Sequence, residues 1–124
     1  MSNWEGKIKK KLKRMMKMKK ITSVEEFNEV VNENESFLFL KHSTTCPISG
    51  AGYEAFSNYV NNQNSVKAYY LHVQDARPLS NYIAETYGVK HESPQALFFE
   101  NNKVSWDISH WKITEEELSK RVSK

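Results

Sequence analysis

Cysteine is nearly absent from this chain: Cys46 is the only one in 124 residues, beside three prolines and four glycines. A single thiol excludes an intramolecular disulfide framework and a multi-cysteine zinc site. The four histidines, His42, His72, His91 and His110, show none of the close paired spacings that helical zinc motifs use. No apolar run is long enough to span a bilayer, and the N-terminus lacks the apolar core of a secretory signal, so a reducing cytoplasm is the expected compartment. There is no internal repeat, and the length suits one domain that buries its core without staples.

Acidic residues are scarce at one end. Residues 1–20 carry nine Lys or Arg and one acid, Glu5, whereas the remainder carries nine basic and fourteen acidic residues. The net charge of +3 therefore belongs to a tail, and the pI says little about the partner of a mildly acidic globular part. Within the tail Trp4, Ile8, Leu12 and Met15/Met16 recur at helical spacing among lysines. That pattern suits an amphipathic helix on anionic membrane or nucleic acid, or a solvated and partly disordered arm, which is how blocks of like charge usually behave. Met18-Lys19-Lys20-Ile21 is a natural beginning for a domain, which leaves an upstream start codon as a third account of the residues before it. The expected organisation is a basic tail over 1–20 and one domain over 21–124.

Cys46 sits in Thr44-Thr45-Cys46-Pro47-Ile48-Ser49, after an apolar run and at the start of an expected helix. A thiol there faces unpaired backbone N–H groups and the positive end of the helix dipole, which favour the thiolate. Helix N-termini lower a thiol from its usual ~8.5 to between ~3.5 and ~7.5. Pro47 suits the first helical position, where its missing N–H costs nothing. Ser49 stands one turn on, where a dithiol oxidoreductase carries its second Cys. With Ser there no internal disulfide forms, and a mixed disulfide on Cys46 needs an outside thiol to resolve it. The competing reading is a buried Cys acting as a small hydrophobe, although its neighbours are Thr, Thr, Pro and Ser.

Ser23-Val24-Glu25-Glu26 reads as a capping box that opens a helix to about Asn32. Phe37-Leu38-Phe39-Leu40 suits a strand buried on both faces. A second helix runs from Cys46 to about Val60, its first turns weakened by Gly50 and Gly52, which allow close backbone approach. Val66 to Val73 reads as a strand, and Pro78 to Tyr87 as a helix stopped by Gly88. Gln95 to Glu100, the turn Asn101-Asn102 and Lys103 to Ile108 form a hairpin, and Thr114-Glu115-Glu116-Glu117 caps a last helix. The order α-β-α-β-α-β-β-α gives an α/β fold with a partly parallel central sheet of about four strands and helices on both faces.

This order, with Cys-Pro-x-Ser after the first strand and an x-Pro before the hairpin, resembles the thioredoxin fold. Ser43 to Ser49 resembles the signature of the monothiol bacilliredoxins (YtxJ-like), from bacteria whose low-molecular-weight thiol is bacillithiol. The likeness runs from about Ile21 to Val122. It is carried further by Asp75-Ala76-Arg77, Ile83-Ala84, Tyr87-Gly88-Val89, His91 to Leu97, Ser109-His110-Trp111 and Ile113-Thr114. The Lys-rich tail lies outside the family pattern.

The resemblance implies a thiol-disulfide oxidoreductase that removes bacillithiol from S-bacillithiolated proteins. Cys46 would be the catalytic residue and bacillithiol a co-substrate, and a free thiol or another bacilliredoxin would reset the enzyme. No bound cofactor or metal is required. A thioredoxin-like sensor or adaptor that is modified at Cys46 without turnover shares the same features.

The resemblance also implies that Ser93–Pro94 is cis and faces Cys46, with the Ser93 backbone free to pair with an extended substrate. His110 and Trp111 would follow the last strand near the Cys; Trp111 would either wall the substrate site or pack on the last helix. Thr44 and Thr45 either donate to the thiolate or make ordinary loop hydrogen bonds, and Ser49 either donates to it or faces solvent. His42 either lowers the Cys46 pKa as a cation or is a solvent-facing or hydrogen-bonded histidine. A peroxidase motif Pro-x-x-x-Thr-x-x-Cys would need Pro and Thr where this chain has Phe39 and Ser43.

Overall fold

The computed structural model describes residues 18–43, 47–62 and 66–122, with the backbone alone for 47–49. The elements are β1 (Met18–Lys20), α1 (Val24–Glu33), β2 (Ser36–His42), α2 (Pro47–Asn61), β3 (Ala68–His72), α3 (Arg77–Tyr87), β4 (Gln95–Glu100), β5 (Lys103–Ser109), one 3-10 turn (His110–Lys112) and α4 (Glu115–Val122). They build a five-stranded sheet in the order β1-β3-β2-β4-β5. β3 runs parallel to β1 and β2, whereas β2–β4 and β4–β5 are antiparallel. The α/β architecture expected from the sequence is present with one strand more. The addition is β1, drawn from the last residues of the basic segment; Met18, Lys19 and Lys20 pair with Ala68, Tyr69 and Tyr70 at the sheet edge. The rest of that segment, 1–17, lies outside the described residues.

Alternation along β2 sorts the core into two layers. Phe37 and Phe39 face α1 and α3, joining Phe27, Val30, Leu79, Ile83, Leu97 and Phe99. Leu38 and Leu40 face α2 and α4, joining Phe56, Tyr59, Val60, Ala96, Ile108 and Leu118. Both layers close over β2, so its Phe37 to Lys41 stretch is fully buried and its C-terminal end is fixed from four sides. Such a strand end is a rigid platform for the loop that follows.

The helix starts follow local chemistry with two departures from a reciprocal capping box. Ser23 Oγ accepts from Glu26 N at 3.2 Å, but the Glu26 carboxylate returns to Thr22, accepting from its N–H at 3.2 Å and its hydroxyl at 2.8 Å. Those Thr22 bonds hold the Glu26 carboxyl below the usual carboxylate range. At α4, Thr114 Oγ1 accepts from Glu117 N at 3.1 Å, while the Glu117 side chain pairs with Arg121 instead. α3 ends at Gly88, whose φ of 65° and ψ of 33° place it in the left-handed region that stops a helix cheaply only at glycine. Asn101 and Asn102, with φ of 53° and 61°, make the two-residue β4–β5 turn. Asn tolerates positive φ better than most residues, and this turn matches the strand twist.

Candidate active site

The C-terminal end of β2, the start of α2 and the start of β4 converge on one end of the sheet. Cys46, Thr44 and Thr45 lie outside the described residues. Pro47 and Ser49 fall in the first turn of α2, so Cys46 is the residue immediately before the helix. α2 is 15 residues long and has no acidic residue in its first turn, whereas α4 opens with Glu115, Glu116 and Glu117. No carboxylate in the first turn offsets the positive end of the α2 dipole, which is the electrostatic condition for a thiolate.

Facing α2 is the start of β4. The Ser93–Pro94 bond is cis, as the resemblance implied. Pro94 is buried and packs on α2 at Gly52, where an added Cβ would come within 3.2 Å of Pro94 Cγ and 3.3 Å of Pro94 Cβ. Gly52 thus permits the close approach expected of it. Gly50 does not share that role, because a Cβ there meets nothing within 4 Å; its side of α2 faces open space. The Ser93 hydroxyl oxygen is buried and has no hydrogen-bond partner among the described residues.

His110 is tied to the same edge. Its N–H donates to Pro94 O at 3.0 Å, and its Nε2 lies 3.1 Å from Glu92 Oε2. Its φ of 56° turns the chain sharply out of β5, and Trp111, next along, is 72% exposed. Of the two readings of Trp111, packing on the last helix does not occur. Trp106 fills that place, stacked on Phe98 at 5.5 Å with Arg121 over its ring at 5.7 Å.

On the α2 side, His42 lies in a cluster of rings, 4.8 Å from Tyr53 and 5.2 Å from His72 between centroids; Tyr70 in turn lies 5.6 Å from Tyr53 and 5.4 Å from His72. Burial, with Tyr70 beside it, raises the Tyr53 hydroxyl pKa. His72 reaches Asp75 Oδ2 at 3.6 Å, and Asp75 is held below the usual carboxylate range by its hydrogen bond and charge pairing with Lys20, 3.1 Å away. His42 is half-buried among these rings, not solvent-facing. Among the described residues no group of three His, Cys, Asp or Glu side chains is placed to hold a metal ion.

Two features escaped the sequence. The Glu92–His110 pair joins residues far apart in the chain, and no local pattern announces it. Lys41, with Ser80 and His91, did leave a signal: positions 37, 39 and 41 share one face of β2, and the third is a lysine where the first two are core phenylalanines.

A family model for monothiol bacilliredoxin BrxC matches residues 19–118. A solved structure described as a putative oxidoreductase with a thioredoxin fold is 41% identical, covers 83% of this chain and 91% of its own, and superposes with a TM-score of 0.78. Mitochondrial thioredoxin 3 from Saccharomyces cerevisiae shares 13% identity at a TM-score of 0.71, covering 89% of this chain and 97% of its own. Fasciola hepatica thioredoxin shares 15% at 0.71, covering 86% and 97%. The last two carry the fold alone, which is the thioredoxin fold.

Proposed function

The chain belongs to the monothiol bacilliredoxin family, and from that premise we propose that it removes bacillithiol from S-bacillithiolated proteins through a mixed disulfide on Cys46. One observation carries the reading: the residue before α2 is the chain's only thiol, and the cis Ser93–Pro94 edge packs on that same helix at Gly52.

The Cys46 thiolate attacks the bacillithiol sulfur of the protein mixed disulfide. The S–S bond breaks, the target cysteine leaves as a thiolate and takes up a proton, and Cys46 now carries bacillithiol. A second thiol, bacillithiol itself or that of another bacilliredoxin, attacks the bacillithiol sulfur, releasing the Cys46 thiolate and leaving as the disulfide. One protein mixed disulfide is reduced and one new disulfide forms, between bacillithiol and whichever thiol resets Cys46, with no metal or prosthetic group in the balance. The absence of a Cys at position 49 requires this external second step.

The rest of the site serves the substrate. The Ser93 backbone is the candidate partner for an extended target segment. Trp111, exposed beside His110, offers an apolar wall. The compartment consistent with this chemistry is the cytoplasm, and the described residues include no helix long and apolar enough to cross a membrane.

The test is to incubate the reduced protein with a bacillithiolated target and follow the intact masses of both, with and without bacillithiol. The adduct is expected to move to Cys46 and to turn over many times once bacillithiol is added, while Cys46→Ala transfers nothing and keeps the wild-type circular dichroism. Transfer without reset would make the protein a redox sensor, and activity retained in Cys46→Ala would end the proposal.

A further inference from the structure

Lys41 is fully buried. It follows Phe37 and Phe39 on the β2 face that packs against α1 and α3, a place that apolar side chains ordinarily fill. Its Nζ donates to Ser80 O at 3.0 Å and lies 3.4 Å from His91 Nδ1, and Ser80 Oγ lies 3.1 Å from the same ring nitrogen. An ammonium can only donate, so with Lys41 charged His91 presents the Nδ1 lone pair and carries its proton on Nε2. Lys41 makes no ion pair with a carboxylate among the described residues. A buried charge without a counter-charge is disfavoured, and an apolar side chain of similar volume serves stability better.

What the lysine holds is the segment leading to the cis proline. Across the sheet from Lys41 stands Gln95, whose Nε2 donates to Lys90 O at 3.0 Å. The facing pair therefore grips residues 90 and 91 from beneath, one by the backbone and one by a side chain. Glu92, Ser93 and Pro94 follow directly, and the first and last of them are bonded to His110. His91 itself is exposed, so it closes the strand end over the amine.

We propose that Lys41 is a positioning residue that, acting through His91, fixes the depth at which the Ser93–Pro94 edge meets a bound disulfide. The inference rests on the function proposed above and assigns a determinant of substrate engagement to the opposite face of the sheet from α2. It also makes engagement depend on pH. Burial pushes Lys41 down to about 8. That burial is the cause of the Lys41 shift; His91, which faces the amine, is lowered by desolvation and then by the Lys41 charge, and feels Glu92 and, from α3, Arg77. As the amine loses its proton, its bonds to Ser80 O and His91 lose their charge assistance, and the hold on the segment weakens.

The experiment measures kcat and KM for debacillithiolation by wild type, Lys41→Met and His91→Phe between about pH 7 and about pH 9. In Lys41→Met, KM is expected to rise at least about fivefold at neutral pH with kcat within about twofold, because the attacking thiol is untouched. The wild-type rise in KM above about pH 8 is expected to vanish in the variant. A Lys41→Met enzyme with wild-type KM and an unchanged pH profile would overturn the inference, as would a loss confined to kcat. Should Lys41→Met fail to fold, His91→Phe decides by the same readouts, since that ring is exposed. Amide hydrogen exchange over 90–95 separates the two proposals: faster exchange in the variants supports the grip even if wild type shows no Cys46-dependent turnover, and that absence alone would end the functional reading.

Discussion

Gly52 and Gly50 stand two residues apart in the same turn of α2 and make opposite demands. At an ordinary helical position Ala is better than Gly by roughly 0.5–1 kcal/mol, because Gly gives up more backbone entropy. Gly50 is such a position, its side open to solvent. At Gly52 the new methyl meets Pro94 at 3.2 Å, with Ile113 Cδ1 at 3.7 Å behind. The proline ring is held by its own backbone and cannot swing aside as a long side chain would. Overpacking of this kind costs about 1–3 kcal/mol, which outweighs the helix gain. Gly52→Ala should therefore lower stability by about 1 kcal/mol and cut turnover several-fold by moving the proline off α2, whereas Gly50→Ala should gain about half a kcal/mol and keep its activity. Thermal melts paired with the mass-transfer assay check this, and equal behaviour of the two variants would show that the contact does not matter. At this scale the site was legible where one residue type carries its own chemistry: the lone Cys46 before Pro47, the Ser in the place of a second thiol, the proline before a hairpin. It was illegible where the role depends on a distant partner. His110 needs Glu92, and Lys41 needs Ser80 and His91, pairs that only the folded sheet brings together.

Local signals set most of the elements, because each one starts or stops on a backbone group that must find a partner. Ser23 is the clearest case. It has φ of −133° and ψ of 158°, outside the helix, and its hydroxyl satisfies the Glu26 N–H. Ser23→Ala leaves that donor in a half-buried spot with no side-chain acceptor and should cost about 1 kcal/mol, within the range of about 0.5–2 for such caps. Ser23→Gly should cost only a few tenths of a kcal/mol, since glycine adopts the cap conformation freely; urea denaturation of both variants measures the difference, and equal losses would place the effect elsewhere. Because the Glu26 carboxylate accepts from Thr22 and from the Ser23 hydroxyl rather than from the Ser23 N–H, the sequence motif located the helix start while mistaking its second half. β1 was the element no pattern revealed. Met18-Lys19-Lys20 is three residues long, two of them lysine, and shows no period of apolar side chains; what makes it a strand is the open edge of β3, a property of the sheet rather than of the segment. An edge strand rich in lysine is also a poor template for another chain.

At the scale of the whole molecule, Lys41 sets how stability responds to pH. Its pKa falls from 10.5 to about 8 on folding, so between those values the unfolded chain binds more protons than the folded one. Stability then rises with pH across this window, and the burial penalty is felt in full below about pH 8. Three tyrosines, one buried and two half-buried, oppose this only later. Burial raises Tyr53, Tyr59 and Tyr87 above their usual 10.0, so the unfolded chain loses those protons first and stability falls above about pH 10. Between them lies a range, about pH 7.5 to about 9.5, in which the lysine acts almost alone. The measurement belongs in the Cys46→Ala background, which keeps the thiol out of the comparison. One pKa unit corresponds to about 1.4 kcal/mol, which gives a gain on the order of 2 kcal/mol across that range. A domain of this size is stable by only about 5–15 kcal/mol, so the change is easily read in urea midpoints. Lys41→Met in the same background should be flat with pH and more stable than its parent at neutral pH, because the uncompensated charge is gone and the chain length is kept. Greater stability with weaker substrate engagement would mean the lysine is kept for its hold on residues 91–94, at a cost to the fold. A Lys41→Met protein that is less stable at neutral pH would mean instead that the bonds to Ser80 and His91 outweigh the buried charge.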